Sequence, residues 1–136
     1  MYKKILIPVD MAHTEKAAQM IKAAKCMASD DADFILTNIV QSAPSGAELS
    51  LPADFYEVSI KAAKSSLRKI AQEEGIEVKI EVHIGHPAND ILNVANQLDV
   101  ELIIVGSHRP DLKDYLIGST AARIVRHAQC PVLVMR

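Results

Sequence analysis

Residues 106–120, which read GSHRPDLKDYLIGST, carry the residue types from which proteins build phosphate-binding sites. Gly106 ends an apolar run, and Gly118-Ser119-Thr120 opens a helical pattern whose first turn offers free backbone N–H groups and two hydroxyls. Such amides converge on an anion, glycine lets the anion come close, and a helix N-terminus adds its dipole. Taken alone, these residues also fit a plain turn, in which Gly106 closes a strand and Gly118-Ser119 caps a helix.

The charge around this segment favours an anionic ligand. The whole chain carries a formal net charge of −2. Between residues 106 and 136, five basic side chains stand against two acidic ones, which leaves a local balance of +3. The basic residues are Arg109, Lys113, Arg123, Arg126 and Arg136, and the acidic ones are Asp111 and Asp114. An anion would therefore meet a more favourable potential here than over the chain as a whole.

The elements that must position this segment alternate between strand and helix. Apolar runs predict buried strands at 3–10, 33–40, 101–107 and 130–136, and alternating charged and apolar residues predict a half-exposed strand at 77–84. Apolar residues at three- and four-residue spacing predict helices at about 14–27, 55–74, 87–98 and 118–127. Thr14 is expected to cap the first helix and Gly75 to end the second. The inner face of the second helix is expected to comprise Val58, Ala62, Leu67, Ile70 and Ala71.

Five strands alternating with four helices predict a three-layer α/β fold with a parallel sheet and right-handed crossovers. The segments ILIPV and LIIVG are apolar on both faces and belong in the middle, whereas Glu77, Lys79 and Glu81 mark an edge strand. The resulting order, 3-2-1-4-5, reverses direction between the first and fourth strands, where such folds bind ligands. Pro8-Val9-Asp10 and Gly106-Ser107-His108 end those two strands, which supports a ligand site there independently of any motif.

Length and composition restrict the class of protein. With 136 residues, 49% of them hydrophobic, the chain is expected to form one domain over residues 1–136. Its net charge gives no reason to expect nucleic acid or an anionic membrane as a partner. No segment has the length of a bilayer span or the features of a signal peptide, so a cytoplasmic location is expected. Cys26 and Cys130 fit neither a disulfide framework nor a metal spacing, and each is expected to be a small buried hydrophobe.

Competing motifs are weaker. His83 to His86 spells HIGH, a signature of class I aminoacyl-tRNA synthetases, but it does not follow the first strand of a long chain with a second lysine-rich loop. Gly85 and Pro87 are instead expected to form a turn and start a helix. Neither a P-loop motif nor a glycine-rich turn after the first strand occurs in the sequence. His108 lacks a carboxylate or serine partner at triad spacing, so a hydrogen-bonding role is expected and no catalytic residue is assigned.

Several segments together resemble the universal stress protein family of the UspA type. They are ILIPVD near the N-terminus, GHPANDILNVA in the middle, and IIVGSHR followed by GSTAARIVRHAQCPVLVMR at the C-terminus. The resemblance spans essentially the whole chain, and its C-terminal part is the specific one. It implies the adenine nucleotide alpha hydrolase-like form of the α/β fold, and it implies a homodimer formed through the last strand, residues 131–136.

The resemblance also implies ATP as ligand, with Mg²⁺ bridging its phosphates. Phosphate and ribose would be approached by Gly106, His108, Gly118, Ser119 and Thr120. Ser107 and Arg109, in the same segment, are further candidates for cofactor binding. Adenine and ribose would lie along Pro8, Val9, Asp10 and Val40, with Asp10 as a hydrogen-bond acceptor.

The phosphate segment departs from the family's nucleotide-binding pattern in two ways. That pattern is Gly, two residues, Gly, nine residues, Gly and Ser or Thr. Here Arg109 replaces the second glycine, eight residues separate it from Gly118, and Pro110 favours an extended backbone at Arg109. The chain is therefore similar to family members with a shortened, proline-containing loop. The Arg109 guanidinium either pairs with phosphate or is solvated, and the sequence favours neither.

Two classes of function remain open. In the first, the protein is an ATP-binding stress-response module with at most slow hydrolysis or autophosphorylation. In the second, it is a dimeric adaptor of the same fold that binds no nucleotide. Residues 131–136 carry no charge before Arg136, so they predict an apolar sheet edge that pairs with a second copy or is covered by the loop after residue 41.

Overall fold

A computed structural model describes residues 1–107 and 117–136 of the chain. Its centre is a five-stranded parallel sheet in the order β3-β2-β1-β4-β5, which confirms the predicted order 3-2-1-4-5. The strands are β1 (Tyr2–Pro8), β2 (Ala28–Gln41), β3 (Val78–Gly85), β4 (Leu102–Gly106) and β5 (Val132–Met135). The sheet therefore changes winding direction between β1 and β4, as the sequence predicts.

Four α-helices cover the sheet. They are α1 (Ala17–Met27), α2 (Phe55–Glu74), α3 (Pro87–Gln97) and α4 (Ser119–His127). Two short 3₁₀ turns, Met11–Lys16 and Ala47–Ser50, precede α1 and α2. Pro87 stands at the start of α3 as predicted, and Gly75 ends α2 in a left-handed conformation with φ 63°.

The two central strands are buried because both of their faces are apolar. Ile5, Leu6 and Ile7 of β1 have no exposed surface. Ile5 and Ile7 join a core with α1 and α2, while Leu6 joins a second core with α3 and α4 on the opposite face. The molecule is thus three-layered, with α1 and α2 on one face of the sheet and α3 and α4 on the other.

The first crossover differs from the prediction that Thr14 caps a helix. The Asp10 carboxylate accepts a hydrogen bond from the Ala12 amide at 2.9 Å and caps the 3₁₀ turn instead. His13 has non-helical backbone angles, so the α-helix begins only at Ala17. Because the Asp10 carboxylate, directly after β1, binds the Ala12 amide, the chain first forms a 3₁₀ turn, and α1 begins later than predicted.

The inner face of α2 is also rotated from the predicted one. Leu67 and Ala71 are buried as expected, but the third buried residue is Ala63. Ala62 is exposed, and the Val58 side chain is 55% exposed. Val58 lies in the first turn of α2, and the buried residues of the helix begin only at Ala63.

The cysteines do not both behave as expected. Cys26 is exposed on α1, which contradicts its predicted burial, whereas Cys130 is half-buried beside the α3 and α4 core. Partial burial raises the pKa of the Cys130 thiol above its ordinary value, because desolvation disfavours the thiolate. None of the helices within residues 1–107 and 117–136 combines the length and apolarity that crossing a membrane requires.

Candidate functional site

A cleft of about 780 Å³ opens at the carboxyl ends of β1, β2 and β4. The first turns of α3 and α4 and one face of α2 complete its walls. This volume falls in the range that small-molecule sites occupy. The cleft therefore coincides with the switch point between β1 and β4, where the sequence predicts a ligand.

The fold brings most of the predicted site residues to this cleft. Those that line it are Pro8, Val9, Asp10, Val40, Gly106, Gly118, Ser119 and Thr120. Ser107 does not line the cleft, but its hydroxyl accepts a hydrogen bond from the amide of Gly118, which does line it. His108 and Arg109 lie outside the described residues. Segments far apart in the sequence thus converge on one opening.

The N-terminus of α4 presents hydrogen-bond donors to the cleft. The first helical bond runs from the Ala122 amide to the Gly118 carbonyl at 2.9 Å, and Gly118 supplies no side-chain cap. The amides of Ser119, Thr120 and Ala121 consequently have no acceptor within the helix. All three residues line the cleft. This arrangement of amides and helix dipole suits an anionic group.

Gly118 has no conformational reason to be glycine. Its φ of −59° and ψ of 156° are open to any residue. A Cβ built there would meet no atom of the described residues within 4 Å. What the missing side chain preserves is the space in front of the α4 amides, which is the space that a bound anion would need.

Ser107 connects the two sides of this anion-binding end. Its Oγ accepts a hydrogen bond from the Gly118 amide at 3.2 Å, and its carbonyl accepts one from Lys16 Nζ at 2.8 Å. Its own amide donates to the Met135 carbonyl of β5 at 2.8 Å. The Gly118 amide is thus already hydrogen-bonded within the protein. Because Lys16 Nζ is bound to the neutral Ser107 carbonyl, its positive charge lies at the end of β4.

Asp10 has a structural role in addition to its predicted role as a hydrogen-bond acceptor for the ligand. One carboxylate oxygen, Oδ1, accepts the Ala12 amide, and the residue is exposed at the rim of the cleft. No described residue donates a hydrogen bond to the other oxygen. Asp10 can therefore hold the 3₁₀ turn and still accept one hydrogen bond from a ligand hydroxyl.

Sequence reasoning missed the wall of the cleft that lies opposite α4. Asn38 of β2 lines the cleft, and its Nδ2 donates to the Val9 carbonyl at 2.9 Å. The cleft face of α2 consists of small residues, namely Ser59, Ala62, Ala63 and Ser66. Their helical spacing is visible in the sequence, but small side chains on a helix do not by themselves indicate a ligand.

The described residues contain no protein metal centre. Within residues 1–107 and 117–136, no group of three histidine, cysteine, aspartate or glutamate side chains is placed to hold a metal ion. His13 lines the cleft and lies 3.5 Å from the Glu15 carboxylate.

Comparison with known proteins places this arrangement in a family. The model of the "Universal stress protein family" matches residues 1–136. Universal stress protein G of Shigella flexneri is 31% identical over 145 residues, and the alignment covers all of both chains.

Solved structures show the same architecture. The structure of MJ0577, a universal stress protein of Methanocaldococcus jannaschii, superposes with a TM-score of 0.79 at 29% identity, covering 99% of this chain and 96% of that one. A universal stress protein in complex with cAMP superposes with a TM-score of 0.71 at 19% identity, covering 99% and 97%, and shows the shared fold. The five-stranded order, the full-length family match and the identity to protein G agree, and the chain belongs to the universal stress protein family.

Proposed function

We propose that this protein binds ATP in the cleft between β1 and β4 and acts as a nucleotide-responsive stress protein. The observation that carries the proposal is the N-terminus of α4, where three amides without helical acceptors face a cleft that Gly118 keeps open. A relative of the same fold holds cAMP, so this architecture accommodates an adenine nucleotide. A phosphate chain satisfies those amides better than a neutral ligand does.

The proposed pose follows the order of the strands. The phosphates lie at Gly106, Gly118, Ser119 and Thr120, with His108 and Arg109 contributing from the segment outside the described residues. The ribose lies at Asp10, whose second carboxylate oxygen accepts a hydroxyl. Adenine lies along Pro8, Val9 and Val40. Ser107 acts on the phosphates through the Gly118 amide rather than by direct contact.

Magnesium enters with the nucleotide in this proposal. Mg²⁺ in nucleotide sites takes phosphate oxygens and waters and needs few protein carboxylates. The hydroxyls of Ser119 and Thr120 line the cleft beside the α4 amides and fit an ion held mainly by phosphate. The ion would neutralise part of the phosphate charge.

Catalytic turnover is expected to be slow. Phosphoryl transfer needs a positioned nucleophile or water and charge stabilisation around the transferred group. Asp10 at the cleft rim is already engaged by the Ala12 amide, and His13 lies beside Glu15. We therefore propose a binding protein with little hydrolysis or autophosphorylation.

We also propose that the protein forms a homodimer in which the two subunits pair through β5. Ile103 donates to the Pro131 carbonyl and Ser107 donates to the Met135 carbonyl, so the odd-numbered residues of β5 face β4. The even-numbered residues then present their N–H and C=O groups outward along the edge of the sheet. Val132 to Met135 are all half-buried and uncharged, which favours pairing with an identical edge about a two-fold axis.

Calorimetric titration of the full chain with ATP and Mg²⁺ tests the proposal. We expect saturable binding with a Kd on the order of micromolar, equivalent to about 8 kcal/mol. Gly118→Asp should weaken it by more than about 100-fold, because the carboxylate would repel the phosphate and compete with it for the α4 amides. Absence of heat for the wild-type chain would instead favour the adaptor function, in which the same fold serves a partner without nucleotide.

A further inference from the structure

Lys16 places a positive charge at the end of β4 without a carboxylate to neutralise it. Its Nζ donates to the Ser107 carbonyl at 2.8 Å, and the residue is half-buried. Within residues 1–107 and 117–136, no aspartate or glutamate oxygen lies at ion-pair distance from that nitrogen. A neutral carbonyl accepts a hydrogen bond but supplies no counter-charge for a partly desolvated ammonium. An anionic ligand nearby would supply that counter-charge.

The backbone that carries Lys16 is fixed on both sides. Ala17, the next residue, is fully buried in the core that α1 shares with β1 and β4. On the other side, the Asp10 carboxylate caps the 3₁₀ turn Met11–Lys16, and this turn contributes to the cleft wall. Lys16 therefore reaches Ser107 from an anchored position at the edge of the cleft.

Ser107 connects Lys16 to the first turn of α4. The Ser107 amide donates to the Met135 carbonyl at 2.8 Å, and its Oγ accepts from the Gly118 amide at 3.2 Å. Because Gly118 is the N-cap of α4, the second bond holds the start of the helix whose first residues line the cleft. The Ser107 carbonyl is held by Lys16. Three segments distant in the sequence thus fix Ser107, and Ser107 in turn holds the N-terminus of α4.

We propose that Lys16 is a positioning residue for the phosphate-binding end of the cleft. Its ammonium holds the Ser107 carbonyl, so that Ser107 Oγ keeps the Gly118 amide and the first turn of α4 in place. The phosphate oxygens bound at that turn compensate the Lys16 charge. This inference rests on the proposed nucleotide function. It assigns to Lys16 a contribution that a phosphorylated ligand uses and that base and ribose do not need.

Calorimetric titration of the full chain compares ATP with adenosine, which keeps the base and ribose but lacks phosphate. Lys16→Met removes both the hydrogen bond and the charge. We expect it to weaken ATP binding by about tenfold and to change the adenosine Kd by less than about twofold. Lys16→Arg keeps a cation and hydrogen-bond donors and should retain most of the ATP affinity. Equal losses for ATP and adenosine in Lys16→Met would overturn the inference.

A second lysine of α1 provides the matched control. Lys22 is exposed, and Lys22→Met removes the same charge from the same helix away from Ser107. This variant should bind ATP and adenosine with the wild-type Kd. A loss of ATP affinity as large as that of Lys16→Met would reduce the effect to net charge and overturn the positioning role.

Hydrogen exchange of the Gly118 amide tests the connection through Ser107 without any ligand. In NMR of the nucleotide-free chain, Lys16→Met should speed this exchange by about threefold or more, because Ser107 Oγ is held less firmly. Ser107→Ala removes the acceptor itself and should speed exchange at least as much. An unchanged rate in Lys16→Met would overturn the inference even if ATP binds. Faster exchange in a chain whose wild type binds no ATP would confirm the Lys16–Ser107 connection and overturn the proposed function.

Discussion

Gly118→Asp separates the stability of α4 from its capacity to bind phosphate. Gly118 is the N-cap of α4 and makes no side-chain cap bond. An aspartate there can accept from the amides of Thr120 or Ala121 and complements the helix dipole. Its Cβ meets no atom of the described residues within 4 Å. We expect a stabilisation of about 0.5 kcal/mol, a rise in Tm of roughly 1–3 °C.

The same carboxylate should greatly weaken ATP binding. At an effective dielectric of about 20, a carboxylate about 5 Å from a bound phosphate would repel it by about 3 kcal/mol for each pair of unit charges. It also takes one of the few amides that the phosphate needs. A loss of about 3 kcal/mol corresponds to more than about 100-fold in Kd. The variant is therefore expected to be more stable and yet deficient in binding.

Differential scanning calorimetry and nucleotide titration measure the two effects on the same samples. Gly118→Asn is the matched control, because it caps the helix with similar shape but without charge. We expect Asn to stabilise as Asp does and to weaken binding less. An Asp variant that binds ATP with the wild-type Kd would refute the placement of phosphate at the α4 N-terminus.

Three further predictions concern other parts of the fold. Gly85→Ala should destabilise the protein by about 2 kcal/mol, because the new Cβ collides with the Asp90 carboxylate and disrupts its hydrogen bond from the His86 amide. An unchanged denaturant midpoint would contradict that close approach. Val134→Pro should convert the proposed dimer to monomer in light scattering, since it removes an outward N–H and leaves the β4 ladder intact. Val134→Ala should remain dimeric, and a dimeric proline variant would exclude β5 pairing. A thiol reagent at mildly alkaline pH should label exposed Cys26 before Cys130, whose pKa is raised by partial burial, so a lower fraction of Cys130 is thiolate. Equal labelling rates by mass spectrometry would count against this burial.

The sheet order was predictable because it depends on which strands are apolar on both faces. Ile5 to Ile7 and Leu102 to Val105 must be covered twice, so they occupy the middle, while the charged β3 tolerates an edge. The location of the switch point follows from that order. Residues with a local conformational role, such as Gly75 and Pro87, were likewise predictable, because their φ preferences act within a few residues.

The rotation of each helix and the composition of the cleft wall were decided by tertiary packing. Periodicity identifies a stripe on α2, but its contact with the sheet selects Ala63 rather than Ala62 for burial. Asn38 carries no sequence signal of its own, and only the Val9 carbonyl on the neighbouring strand fixes its amide.

The sequence by itself therefore determined the elements, their order and the edge of the sheet where ligands approach, because burial pattern and backbone preference are local properties. Which polar atoms remain unsatisfied in the cleft, and which are already used, depends on atoms brought together from strands and helices distant in the chain. Ser107 and Asn38 illustrate this, since each hydrogen-bonds a backbone group from a different segment of the chain. Such pairings exist only once the layers have packed.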